Sequence, residues 1–227
     1  MSTISRPIMD PLVDVRMYIS NFDIDDRGDA WSDTHANFLS SLSKEEKQNL
    51  IKHSRRLILK SRDHMFRTGG CSNDVYIIAN GCIRLLQVSS TGKETILGFC
   101  FTGEIFGMAE VWQRMDRQIY AVANEATQVY SIQRSDFISF LGAHPKAAMK
   151  AIGILSARIR ALGHVLVGRT CDNVQSRIAR LLLRFASVSS GIRCCADSNN
   201  NNELCVKVRL THQDIADLIG ASRQTVT

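Results

Sequence analysis

No Cys-x-x-Cys pair occurs anywhere in the 227 residues, and the cysteines are odd in number: Cys71, Cys82, Cys100, Cys171, Cys194, Cys195 and Cys205. That spacing suits neither a disulfide framework nor a zinc ribbon, so free thiols in a reducing compartment are expected. A run of about 18 apolar residues is also missing, and no membrane span is expected. No apolar signal core opens the chain, and aspartates at positions 10, 14, 23, 25, 26, 29 and 33 do not suit a basic transit peptide. An enzyme would need a nucleophile with a base and an orienting group, or clustered metal ligands. Neither a Ser-His-Asp arrangement nor spaced His and Cys ligands stands out. No catalytic residue, metal or cofactor is therefore expected.

What is present is a globular composition, 44% hydrophobic and 22% charged. The charge is unevenly placed. Residues 146–227 hold 12 Lys+Arg against 5 Asp+Glu, a net of +7, while residues 1–145 hold 16 against 17, a net of −1. A neutral front and a basic back suit a sensor joined to a polyanion-binding part.

Residues 1–42 read as a polar extension, loosely ordered through Asn21–Asp33 and ending in a short helix from Thr34 to Leu42. Ser43-Lys44-Glu45-Glu46 is a capping box that starts a helix to about His53. From Arg56 to Gln133, short strand-like runs alternate with turns. The runs are Leu57–Leu59, Val75–Ile78, Cys82–Val88, Glu94–Phe99, Tyr120–Ala123 and Gln128–Ile132. Gly69-Gly70, Asn80-Gly81, Thr91-Gly92 and Thr102-Gly103 punctuate them. Regular short strands with glycine turns mean a β-sandwich or jelly roll.

A short helix follows from Ser135 to Leu141. Pro145 stands at the first position of a long helix reaching about Gly168. Its apolar residues Ile152, Leu155, Ile159, Leu162 and Leu166 step by 3, 4, 3 and 4, a heptad seam able to pair with a second copy. A helix from Asn173 to Ser187 carries Ile178, Leu181, Leu182 and Phe185 inward, with Arg177, Arg180 and Arg184 on another face. Asp197–Asn202 is a polar loop, and Cys205–Leu210 alternates like a strand.

The stretch Leu210–Thr227, LTHQDIADLIGASRQTVT, has the pattern of a helix-turn-helix. Ala216 is small where a second helix crosses, Gly220 permits the turn, Ser222 is an N-cap, and Val226 packs back beneath the pair. Arg223, Gln224 and Thr225 then stand exposed, able to read base edges. Thr211 and Gln213 are placed to touch phosphates.

In this order, a β-roll, a long heptad helix and a C-terminal helix-turn-helix resemble the CRP/FNR family of dimeric transcription regulators. The matching stretches are Val75-Tyr76-Ile77-Ile78-Ala79-Asn80-Gly81, Thr102-Gly103-Glu104-Ile105-Phe106-Gly107 and Gly220-Ala221-Ser222-Arg223-Gln224-Thr225-Val226-Thr227. The resemblance implies an α+β chain of four parts: the extension at 1–42, a jelly-roll effector-sensing domain at 43–144, a dimerisation helix at 145–170 and a winged helix-turn-helix at 171–227. Family members continue the recognition helix and add a wing, so the last part is expected to be incomplete at Thr227. The implied partners are DNA, a second copy, a small anionic effector and RNA polymerase, with no membrane.

Phe106-Gly107, Asp116-Arg117, Leu155-Ser156-Ala157-Arg158-Ile159 and Ser176-Arg177-Ile178 are most similar to the cyanobacterial and plastid nitrogen-control (NtcA-like) branch, whose effector is 2-oxoglutarate. Gly163 and Met108-Ala109 depart from its pattern. By that resemblance the Phe106-Gly107 backbone would donate to the effector, while Arg117 and Arg158 would clamp its carboxylates. Localisation would be cytoplasmic, or the plastid stroma for a plastid-encoded chain. Two alternatives stay open. One is a cyclic-nucleotide site in which Glu104 holds a ribose hydroxyl and Arg117 a phosphate; the other is a β-roll interaction protein with a degenerate DNA-binding tail. Glu104 and Arg117 are equally able to form a structural ion pair.

Overall fold

The computed structural model describes residues 16–18, 37–90, 92, 94–189, 203–205, 208 and 210–227. Two compact units result: Phe22–Thr170, and Cys171–Thr227 together with a strand at 16–18.

Among the described residues of the larger unit, eight strands form two four-stranded antiparallel sheets. With β1 (Arg16–Tyr18) counted first, these are β2 (Ser54–Leu59), β3 (His64–Phe66), β4 (Asp74–Asn80), β5 (Cys82–Val88), β6 (Glu94–Phe101), β7 (Ile105–Phe106), β8 (Tyr120–Ala123) and β9 (Thr127–Gln133). One sheet has the order β2-β9-β4-β7 and the other β3-β8-β5-β6. The continuous apolar run of β4 has a physical cause: the strand is covered on both faces. Tyr76 and Ile78 join Ile83, Phe106 and Ala121 in one core, while Val75 and Ile77 join Ile132, Phe137 and Ile154 in another.

That second core is roofed by helices. α1 (Lys44–Lys52) opens on the capping box: the Ser43 hydroxyl accepts from the Glu46 N–H at 3.1 Å, and the Ser43 N–H donates to the Glu46 carboxylate at 2.7 Å. The backbone donor holds the Glu46 carboxyl below the usual carboxylate range. α2 (Arg134–Ala143) and α3 (Pro145–Cys171) follow. By length and composition α3 could cross a membrane, its best stretch having a mean hydropathy of 1.4. Arg158 and Arg160 interrupt that stretch, however, and Arg158 hydrogen-bonds a β-roll carbonyl, which ties the helix to the sheets.

The structure differs from the sequence expectation at the extension. No helix spans the described part of 34–42. Instead Asn37 forms an isolated antiparallel bridge with Glu104, and a 3-10 turn at Leu39–Ser41 follows. Phe38 is the reason: it is fully buried edge-on to Phe137, and its burial is worth about 1.5–3 kcal/mol. The segment lies as a strap over Gly103, whose carbonyl accepts from the Leu39 N–H at 3.2 Å.

The smaller unit has α4 (Val174–Ser189), β10 (Glu203–Cys205), α5 (His212–Ile219) and α6 (Arg223–Val226). β10 ends where a strand over Cys205–Leu210 was expected to begin. It pairs antiparallel with β1, Met17 opposite Leu204, so the polar extension holds a strand that its composition does not announce. The Asp197–Asn202 loop and Cys194-Cys195 lie outside the described residues, as does the Arg184 side chain.

Candidate functional site

α5 and α6 are each capped, and joined at the turn between them, by local hydrogen bonds. The Thr211 hydroxyl accepts from the Asp214 N–H at 3.1 Å, while the Asp214 carboxylate accepts from the Thr211 N–H at 2.8 Å. Thr211 is thus the N-cap of α5, with aspartate completing the box; the sequence reading gave it only a phosphate role. Ile215, Ala216 and Ile219 are buried beneath the pair. Gly220 closes α5 at φ +67, a left-handed conformation favouring glycine, and the Ala221 N–H returns to the Ala216 carbonyl at 2.9 Å. Ser222 caps α6, its hydroxyl accepting from the Thr225 N–H at 3.2 Å and lying 2.7 Å from the Thr225 hydroxyl. Ser222 is accordingly occupied by its own helix.

Arg223, Gln224 and Thr225 are exposed on this frame, and Val226 is half-buried. Gln213 is exposed but folds along α5, its amide donating to Asp217 at 2.8 Å. α4 adds a contact that periodicity did not reveal. The Arg177 Nη1 donates to the Ile219 carbonyl at 2.7 Å, placing a cation on the C-terminal turn of α5, where the helix dipole is negative. Arg180 pairs with Asp172. At least two of the three arginines read as a basic face are therefore engaged within the unit.

In the larger unit, the turn after β7 is held by two guanidiniums. Arg158, from α3, donates to the Ile105 carbonyl at 2.6 Å. Arg117, from the approach to β8, donates to the Gly107 carbonyl at 2.6 Å. The carbonyls on either side of Phe106 are thus gripped from opposite elements. Phe106 itself is fully buried, stacked on Tyr76 at 5.2 Å and on Phe66 at 6.2 Å between ring centroids. Burial pushes the Tyr76 hydroxyl above its ordinary pKa. Gly107 has φ +75, and a Cβ there would lie 3.0 Å from the Tyr76 ring and 3.2 Å from Arg117. Only glycine leaves room for both.

The two arginines differ in availability. Arg117 is 0% exposed. Its Nη1 also meets the Glu110 carboxylate at 3.1 Å, its Nη2 donates to the Asp74 carbonyl at 2.5 Å, and its guanidinium lies 4.4 Å from the Phe66 ring centroid. It is an internal strut. The Glu104–Arg117 ion pair that stood as an alternative to ligand binding is not formed: Arg117 pairs with Glu110, and Glu104 with Arg158 at 3.8 Å. Glu110 went unnoticed in the sequence because nothing in a loop's residue pattern says which acid turns inward.

Comparison with known proteins settles the family. The family model for the cyclic nucleotide-binding domain matches residues 56–144, and that for the Crp-like helix-turn-helix domain matches residues 176–227. The chain belongs to the CRP/FNR family. A cyclic AMP receptor protein of Thermus thermophilus is 24% identical over 186 residues, covering 82% of this chain and 80% of that protein. A global nitrogen regulator of Synechococcus elongatus is 26% identical over 167 residues, covering 72% and 71% respectively. In fold, the c-di-GMP responsive global regulator CLP of Xanthomonas campestris superimposes with a TM-score of 0.64 at 19% identity, over 81% of this chain and 88% of that one. This CRP/FNR protein is a DNA-binding transcription regulator with a nucleotide-binding-type domain, not an enzyme.

Proposed function

We propose that this CRP/FNR regulator works as a homodimer joined along α3, reads a palindromic operator through α6 of each copy, and answers to a small anion at Arg158. One observation carries the dimer. Ile152, Ile159, Leu162 and Leu166 are 54–69% exposed, while Ala151, Ile154, Ala157 and Ala161 on another side of the helix are buried. A solvated apolar stripe at heptad spacing supports pairing with a second copy. Leu155 is the exception among the seam residues, packing partly against the β-roll core.

Arg223, Gln224 and Thr225 support sequence-specific reading. Arginine pairs bidentately with guanine and glutamine with adenine. Two such helices on a twofold axis fit half-sites about 34 Å apart. Selection from a random duplex pool should therefore return palindromes with half-sites one helical turn apart. Recovery of unrelated sequences would refute the reading. RNA polymerase is the further partner this role implies.

For the effector, Arg158 is the accessible cation of the pair, its side chain 32% exposed, and it immediately precedes seam residue Ile159. An anion taken up there would act directly on the dimer helix. A 2-oxoglutarate-like dicarboxylate is the ligand suggested by the nitrogen-control likeness. The burial of Arg117 leaves one accessible guanidinium of the two proposed for the clamp, and it equally withdraws the residue that would hold a nucleotide phosphate.

A further inference from the structure

A cleft of about 260 Å³ opens in the larger unit between α1, α2 and the end of β9, and shares no lining residue with the turn after β7. Its floor is apolar: Leu50, Ile132 and Phe140 are buried members of the helix-roofed core. Its rim is polar and comes from both helices, Asn49 and His53 on α1 and Asp136 and Ser139 on α2. We propose that this cleft binds a compact primary amine carrying one apolar group, with the ammonium held by Asp136.

Charge points to an amine. With His53 neutral, Asp136 is the one formal charge among the lining residues. Among the described residues no cation lies within ion-pair distance of its carboxylate. The Ser135 hydroxyl reaches one of its oxygens only at 3.4 Å. A carboxylate beside an apolar floor and without a basic partner favours a cation that brings its own N–H donors. The His53 Nδ1 lies 2.9 Å from the Asn49 carbonyl. A carbonyl only accepts, so that nitrogen carries the hydrogen, and Nε2 of the neutral ring is left as an acceptor. The rim thus offers a carboxylate, an imidazole nitrogen, an amide oxygen and a hydroxyl. That set suits the three donors of an ammonium and disfavours a carboxylate or phosphate.

Size limits the apolar part. Sites for drug-sized ligands span about 300–1,000 Å³, and this cleft falls below that range, so one ring on a short chain is what it suits. Its walls are held from within the unit. The Glu46 carboxylate of α1 lies 3.5 Å from Nδ1 of His144, at the end of α2. The His144 ring packs with its centroid 4.6 Å from that of Phe140, and the His144 carbonyl accepts from the Ala148 N–H of α3 at 3.1 Å. Phe140 is therefore shared between the floor of the cleft and the joint from which α3 starts, so a ligand lying on it bears on the beginning of that helix.

Titration of the full chain with 2-phenylethylamine, followed by amide chemical shifts, tests the site. Phenylacetate serves as the anionic probe and 2-phenylethanol as the neutral one. The amine should shift amides of α1 and α2 and bind at least tenfold more tightly than either control. Asp136→Asn should weaken the amine at least tenfold while 2-phenylethanol changes less than threefold. Ser139→Leu, at an exposed position, places a larger side chain in the cleft and should abolish binding of amine and alcohol alike. Shifts confined to other elements, or no shifts at all, would overturn the site. Equal binding of the three probes by wild type, or unchanged amine binding by Asp136→Asn, would overturn the contact between ammonium and Asp136. The wild-type comparison of probes decides that contact even where a variant fails to fold.

Discussion

Replacing Ile159 and Leu162 together with aspartate is expected to give a monomer that binds its operator at least a hundredfold more weakly. Both side chains are largely exposed, 69% and 60%, so their loss leaves the cores of the single chain intact. In a dimer four apolar side chains would lose their partner surface, each worth about 1.5–3 kcal/mol when fully buried. Four aspartates would meet there instead. The DNA effect follows from valency: two linked half-site contacts exceed one by roughly 10²–10⁴. Sedimentation should give the mass of one chain, with an unchanged circular dichroism spectrum. A variant that stays dimeric would move the interface elsewhere.

Arg117→Ala is expected to destabilise the β-roll by about 3–5 kcal/mol, the usual result of breaking a buried ion pair. The substitution leaves Glu110, whose side chain is 9% exposed, without its cation. It also strips the Gly107 and Asp74 carbonyls of a donor. For a domain of this size the melting temperature should fall by roughly 6–20 °C. Adding Glu110→Leu should recover part of the loss, because an apolar pair replaces the orphaned charge. A fall of less than about 1 kcal/mol would mean that Arg117 is not the strut described.

The contrast between Arg117 and Arg158 shows where sequence reasoning stopped. Both were legible as cations near the Phe106-Gly107 turn. Which one was buried depended on Glu110, Asp74 and the Phe66 ring, brought together from three separate stretches. The long elements were read well because their periods are local. β5 spans Cys82–Val88 as expected, the Ser43–Glu46 box caps α1, and α3 starts at Pro145. β7 has two residues and β3 three, too few to display an alternation. The β1–β10 pairing joins residues nearly two hundred positions apart, and no local pattern encodes such a partner. In the helix-turn-helix, Gly220, Ser222 and the exposed Arg223-Gln224-Thr225 were legible because the turn demands particular residue types. The Arg177 cap on Ile219 was not, since an arginine on a helix face looks alike whether solvated or folded inward.

Base reading by α6 is tested most directly at Arg223. Once an operator has been selected, each half-site position is changed in turn and binding is measured for wild type and Arg223→Ala at one salt concentration. Wild type should lose about 1–3 kcal/mol at the guanine that Arg223 contacts. Arg223→Ala should bind the original and altered operators equally at that position while keeping discrimination at the others. If Arg223→Ala weakens every sequence by the same factor, or discriminates at every position as wild type does, Arg223 does not read a base and this account of α6 is contradicted.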